Sequence, residues 1–301
     1  MNQISGKSVC SKGVITAESD AELESKWFTH FSKLLSPDTS NAVKPDLVGT
    51  HSDFAHCYFN TSPFVLSELQ AAVKSLVCGK ACGLDGVVAE VLKLEELHPV
   101  LLDVLNFILA SKISPGEWLE SILVPVFKKG SAAETNNYRG IALMSLIAKL
   151  FNRMMGDRLR EGPDKQLLYT QNGFRPLRST SQHVLATRRI IEEIRDSEFG
   201  KLIVIFIDFS KAFDSVSWDW IRAILLHYGV PLFLVDSIMS LYYGARTKVR
   251  YGCGKFTEGI ELTVGVLQGD TLAPYLFVIV MDCNPSLGFR IKTAPEEPVS
   301  T

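Results

Sequence analysis

Residues 201–215 read KLIVIFIDFSKAFDS, and the interpretation of the whole chain turns on them. From Lys201 to Phe209 the side chains are almost all apolar and several are β-branched, which predicts a central strand buried on both faces. Its only carboxylate, Asp208, stands at the carboxyl end. A charge at that position is costly unless something offsets it, and a metal ion does so. Nucleotidyl transfer uses two divalent ions to activate the attacking oxygen and steady the leaving one. Magnesium takes hard oxygen ligands, so Asp208 with the backbone carbonyl of Phe209 fits one such set. A strand-end aspartate also serves as a turn former or helix cap. Five residues on, Phe213 sits where strand gives way to helix. Its ring either packs beneath that helix or meets the sugar of a bound nucleotide, where it would exclude a 2′-hydroxyl.

Downstream, Gly265 to Phe277 reads GVLQGDTLAPYLF. Gly265 and Gly269 permit a tight turn or close backbone approach, and Gln268 between them offers a donor and an acceptor. This suits a surface that touches a base pair and a nucleotide sugar. Upstream, Val124 to Leu143 reads VPVFKKGSAAETNNYRGIAL, two apolar pieces around a polar loop. Lys128, Lys129 and Arg139 flank that loop, and a guanidinium can fork two phosphate oxygens. Gln171 to Thr180, QNGFRPLRST, places Arg175 and Arg178 just before a predicted helix start, which itself favours anions.

Around these pieces the periodicity predicts helices over 18–35, from Ser67 to about Val77, over 87–94, 99–111 and 145–160 (with a basic outer face), from Ser179 or Thr180 onward, through Ile221–Tyr228, from Pro231, and from Thr271 to about Asp282. Strands are expected at Ser121–Phe127 and Ile141–Leu143, and at 246–251 pairing with 259–264. Pro125 marks the first of these as an edge strand or a strand end.

Hydrophobic residues make up 47% of the 301, enough for a sizeable core, and the formal net charge is -2. That average conceals a basic middle. Lys128 to Arg189 holds 12 Lys or Arg against 4 Asp or Glu, a net +8, leaving -10 elsewhere. Such a surface can face phosphate on an acidic background. The six cysteines are irregularly spaced. Cys78 and Cys82, with His51, His56 and Cys57 upstream, lack a second paired motif and read as reduced thiols rather than a zinc site. No signal-peptide core opens the chain, and its longest apolar runs are too short to span a bilayer. An intracellular protein, cytoplasmic or nuclear, is expected.

VPVFKKG with NYRGIALMS, then QNGFRPLRST, IDFSKAFDSV and GVLQGDTLAPYLF, stand in the order and spacing of the reverse-transcriptase blocks of non-LTR (LINE-like) retrotransposons. GKACGLDGVVAEVLK (residues 79–93) resembles the block that precedes them, and WFTHFSKLL (27–35) the arm before that. The resemblance runs over about residues 20–282. It implies an α+β right-hand polymerase with fingers and a partial palm, helices packed on a small, mainly antiparallel sheet. The expected divisions are an arm with one helix at 1–62, fingers at 63–200, partial palm at 201–282 and a tail at 283–301.

Carried over by position, the resemblance makes Asp208 a catalytic metal ligand. Lys128, Arg139, Phe213, Gln268 and Gly269 become nucleotide contacts, and Gly173, Arg175 and Arg178 template contacts. Magnesium, an RNA template, a DNA primer and deoxynucleotides are the implied cofactor and partners, with no membrane and no evident protein partner. One departure stands out. The family's next block carries two adjacent aspartates, typically in F-A-D-D, and the 301 residues contain no Asp-Asp pair. The chain therefore reads as truncated before that block and inactive as an isolated polymerase, the alternative being a non-catalytic RNA- or DNA-binding remnant.

Overall fold

The computed structural model describes residues 15–283, apart from 16, 18, 39–57, 166, 197–200, 210 and 253. Helix α1 (Asp20–Leu35) opens on Ser19, whose hydroxyl accepts the Glu22 N–H at 3.2 Å, and buries Trp27, Phe31 and Leu35 along one face. After it come α2 (Leu66–Lys74), α3 (Ala89–Leu92), α4 (His98–Ser111) and the single turn α5 (Gly116–Leu119). The Ser67 expected to start α2 does not do so. Val65 is the cap position, and the Glu68 carboxylate reaches back to its N–H at 2.8 Å, a polar contact that periodicity alone does not locate.

The hairpin β1 (Glu120–Phe127) and β2 (Tyr138–Leu143) leads into α6 (Leu146–Arg160), then α7 (Thr180–Arg195), α8 (Trp218–His227) and α9 (Leu232–Met239). A second hairpin, β3 (Arg246–Tyr251) and β4 (Lys255–Glu261), precedes α10 (Ala273–Cys283). Strand β4 thus begins four residues before the expected 259, because the reversal at Gly252–Gly254, both glycines at positive φ, is tight.

The four strands form one sheet in the order β2-β1-β3-β4. Both hairpins are antiparallel, and the hairpins join through a parallel pairing of Glu120–Leu123 with Arg246–Val249. The sheet is thus mainly antiparallel, as expected, and the molecule is α+β. It joins residues from both sides of the division expected at 200/201. Pro125 pairs with Gly140 but lies past the stretch bonded to β3, so its missing N–H costs nothing there.

The clearest expectation from sequence is overturned. Residues 201–209 lie in none of the described strands and are exposed to solvent: Ile203 is 87% and Phe206 88% accessible. Apolar, β-branched composition says that a segment favours burial in a sheet, but a strand forms only where a neighbour supplies backbone partners. Among the described residues the four strands pair with one another and none with 201–209. Helix α7 forms as expected, with a capping box at Ser179, yet buries none of its residues.

The core runs through α6 and α9 onto the sheet. Phe151 packs against Phe64 (5.7 Å between centroids) and Trp118 (5.5 Å). The basic face expected on α6 is only partly outward. Arg158 points inward, 2% exposed, and its guanidinium bonds both Glu68 oxygens (2.7 and 2.8 Å) and the carbonyls of Asn60, Ser62 and Pro63. It also lies 4.3 Å over the Phe64 ring. No helix among the described residues is long and apolar enough to cross a membrane.

Candidate active-site cleft

A cleft of about 740 Å³ opens between the first hairpin, the segment around residue 210, the 265–270 loop and α1. Lys128 and Arg139 reach it from the hairpin. Asp208, Phe209, Lys211, Phe213 and Asp214 line another side, and Gln268 and Gly269 a third. Seven expected residues scattered over about 140 positions thus share one concavity. A smaller hollow of about 130 Å³ beside Ser121 and Thr247 holds none of them.

Backbone hydrogen bonds hold the walls in register. The Lys128 N–H donates to the Asn137 carbonyl at 2.8 Å, and the Tyr138 hydroxyl closes the loop on the Ala132 carbonyl at 2.8 Å. The 265–270 loop is pinned on two sides. Gly265 N–H bonds Val216 O (2.7 Å) and Val266 N–H bonds Phe213 O (2.8 Å), while Ala142 N–H on β2 bonds Gln268 O (2.8 Å). The two glycines allow this closeness. At Gly265 (φ +88°) an added Cβ would lie 2.9 Å from the Asp214 carbonyl, and at Gly269 (φ +119°) 2.6 Å from the Ala142 carbonyl. Just beyond, Asp270 is buried. Burial raises its carboxyl above the ordinary range, opposed by the Asn152 side-chain N–H at 2.6 Å and by backbone N–H groups at the start of α10.

Phe213 is both packed and open to the cleft. One face of its ring stacks on Phe277 of α10 at 4.9 Å, Phe174 meets it edge-on at 5.9 Å, and the half-buried side chain still lines the cleft. Asp208 shares the cleft with Phe213 and Gln268 but is exposed rather than seated at the tip of an interior strand.

The expected template residues lie apart from this cleft. Arg175 is turned inward, its side chain 7% exposed, with N–H groups bonded to both Asp164 carboxylate oxygens and to the carbonyls of Asp164, Leu168 and Gln171. A guanidinium has five N–H donors and all are committed, so the phosphate contact expected of Arg175 gives way to a structural clamp. Arg178 lies over the Tyr169 ring at 4.6 Å. Gly173, one residue before the positive-φ Phe174, is half-buried.

Among the cleft residues that sequence reading missed are Lys211, Asp214 and His30. Asp214 was legible, six residues after Asp208 in the same motif. Burial raises its carboxyl, with the Lys211 charge and a Gln268 side-chain hydrogen bond pulling it back. His30, on α1, had no signal, since the helical pattern there records only the apolar face. Burial, then the nearby Lys211 charge, lowers its imidazole to about 4. Among the described residues no three His, Cys, Asp or Glu side chains converge as a metal-binding group. Of the residues weighed for zinc, His51, His56 and Cys57 lie outside the described residues.

Residues 126–286 match the family model described as "Reverse transcriptase (RNA-dependent DNA polymerase)". The chain is 29% identical over 224 residues to a "Probable RNA-directed DNA polymerase from transposon BS" of Drosophila melanogaster, covering 72% of this chain and 24% of that protein. It is 28% identical over 220 residues to a "Retrovirus-related Pol polyprotein from type-1 retrotransposable element R2" of Popillia japonica, covering 73% and 30%. A type-2 element R2DM polyprotein of Drosophila melanogaster is 28% identical over 71% of this chain and 20% of its own length. The chain thus spans between a fifth and a third of these relatives. The matched segment covers more than half of the 301 residues and contains Lys128, Arg139, Asp208, Phe213 and the Gln268 loop: the chain belongs to the reverse transcriptase family.

Proposed function

We propose that this chain is the nucleotide-binding portion of a non-LTR retrotransposon reverse transcriptase, acting inside the cell on an RNA template, a DNA primer and deoxynucleoside triphosphates. The observation that carries the reading is the single cleft that gathers Lys128, Arg139, Asp208, Phe213 and Gln268 from well-separated stretches of sequence. In it Lys128 and Arg139 hold the triphosphate, Arg139 by a forked contact. Phe213, braced by Phe277, presents a rigid ring that leaves no room for a 2′-hydroxyl. Gln268 and the bare backbone of Gly269 meet the sugar and the base pair. The basic stretch 128–189 faces nucleic-acid backbone, with Arg178 the template contact and the Gly173 turn beside it. On this reading residues 63–200 act as fingers and 201–282 as part of a palm.

Asp208 and the Phe209 carbonyl offer hard oxygen donors of the kind magnesium takes alongside phosphate oxygens, and they would hold it here. When bound, that ion neutralises triphosphate charge and polarises the reacting phosphorus. The 301 residues hold no adjacent aspartate pair, so this polypeptide by itself binds substrates without joining them. Titration of a fluorescent deoxynucleotide into the purified chain is the test. Affinity should fall on Arg139→Ala, and extension of a primed RNA template should be absent. Equal affinity in the variant defeats the binding reading. Extension that disappears with Asp208→Ala defeats the claim of inactivity.

A further inference from the structure

Helix α1 lies outside the segment that matches the family model, yet its His30 and Leu34 line the cleft. The helix is held firmly in place. The Tyr251 hydroxyl on β3 bonds Glu24 at 2.7 Å, the Thr263 N–H bonds the Leu35 carbonyl at 3.0 Å, and Trp27 packs edge-on against Tyr138 of β2 at 5.1 Å. Position 30 is therefore set by contacts on both sides of it. The imidazole packs against Phe31 at 4.8 Å, which accounts for one edge of the ring. Among the described residues nothing hydrogen-bonds either ring nitrogen. A half-buried polar ring without a protein partner, open to a cleft, has the character of a ligand contact.

The neighbouring charges say which ligand. Lys128, Arg139 and Lys211 share the cleft, and among the described residues no carboxylate forms an ion pair with any of them. Against the two carboxylates present, Asp208 and Asp214, these three cations leave the cleft net positive, and Lys211 acts directly on His30. A polyanion with more acceptor oxygens than the cations can serve fits there, and a cavity of this size suits a nucleotide.

Resting on the nucleotide-binding reading above, we propose that His30 is a further nucleotide-binding residue, donating a ring N–H to the triphosphate from the arm helix. The imidazole is neutral before binding, so it adds a directed hydrogen bond rather than another cation competing with Lys211. The arm helix is then part of the substrate site as well as a brace for the sheet.

The test titrates inorganic tripolyphosphate, with magnesium, into the purified 301-residue chain and its His30→Ala, His30→Gln and Arg139→Ala variants. His30→Ala should weaken binding about fivefold to tenfold, as for loss of one hydrogen bond to a charged acceptor. His30→Gln, which keeps an N–H donor, should stay within about twofold of the parent. Circular dichroism and thermal unfolding of each variant show whether α1 is still seated. Should His30→Ala unfold, the imidazole N–H resonances of the parent chain decide the matter: a shift on adding tripolyphosphate supports the contact and no shift overturns it. Parent-like binding by folded His30→Ala, with Arg139→Ala weakened, overturns the role of His30 alone. If neither variant binds more weakly, the nucleotide reading itself fails. If His30→Ala loses affinity for an RNA strand and not for tripolyphosphate, the ligand is template phosphate and the proposal is wrong.

Discussion

The carbonyl of Gln268 accepts the Ala142 N–H at 2.8 Å, so the 265–270 loop is fastened to β2, the strand that also carries Arg139. The next residue, Gly269, sits at φ +119° with its α-carbon turned toward the Ala142 carbonyl. Gly269→Ala is expected to destabilise the fold by about 2–4 kcal/mol, combining strain at positive φ with a steric clash against backbone. Urea denaturation of the two proteins measures it. A loss below about 0.5 kcal/mol would show that the loop relaxes freely and that the fastening has little consequence.

The Arg158–Glu68 pair gives a pH-dependent prediction. Burial alone would raise the Glu68 carboxyl, but hydrogen bonds from Arg158 and the Val65 N–H, with the Arg158 charge, hold it below its ordinary value. A carboxyl whose folded pKa is depressed contributes stability above its unfolded pKa and loses it as pH falls through the folded pKa. Glu68→Gln should therefore cost about 2–3 kcal/mol near neutrality. This is less than for a fully buried pair, because Glu68 is partly solvated and Arg158 keeps three carbonyl partners. The gap between parent and variant should close in acid below the ordinary carboxylate range. A gap that stays constant from neutral to acid pH would remove the pair from the account.

Arg175 and Arg178 should separate cleanly. Arg175→Ala strips Asp164 and three carbonyls of their partner, and is expected to lower stability by about 2–4 kcal/mol while the folded fraction binds RNA with parental affinity. Arg178→Ala should leave stability within about 0.5 kcal/mol. It should also reduce the slope of log affinity against log salt by about one unit. Melting curves and salt titrations on both variants check this. The reverse pattern would return Arg175 to the template.

Phe213→Val tests the sugar contact. Competition between deoxynucleotide and ribonucleotide triphosphates should favour the deoxy form in the parent and narrow several-fold in the variant. Loss of the Phe277 stack should cost about 1–2 kcal/mol of stability at the same time. A variant with less stability but unchanged discrimination would make Phe213 a packing residue only.

What the sequence made legible followed from local physics. The Ser179 start of α7, the apolar face of α1, the β1–β2 hairpin and the two glycines of the 265–270 loop could each be read because a few neighbouring residues dictate them. The motifs also named seven of the residues that line the cleft, although nothing local says that Lys128 and Gln268 meet. The stretch 201–209 was misjudged because a strand is a relationship between segments, and composition describes only one of them. Arg175 was misjudged because a guanidinium beside a helix start suits a phosphate and a neighbouring carboxylate equally well. Asp164, its partner, lies 11 residues away across an irregular loop, with no periodicity to link them. His30 was invisible because its place in the cleft comes from where the sheet holds α1.

The parallel pairing of Glu120–Leu123 with Arg246–Val249 sets the smallest piece of this protein that can stand alone. The segment that matches the family model begins at residue 126, inside β1, after the four residues that bridge the two hairpins. A polypeptide trimmed to that segment would keep Asp208, Phe213 and Gln268 yet lose most of β1, and with it the first hairpin and the link to β3, leaving a β3–β4 ribbon too small to persist in water. The matched segment is thus narrower than the folding unit that contains it, and residues 120–125 are scaffolding on which it depends.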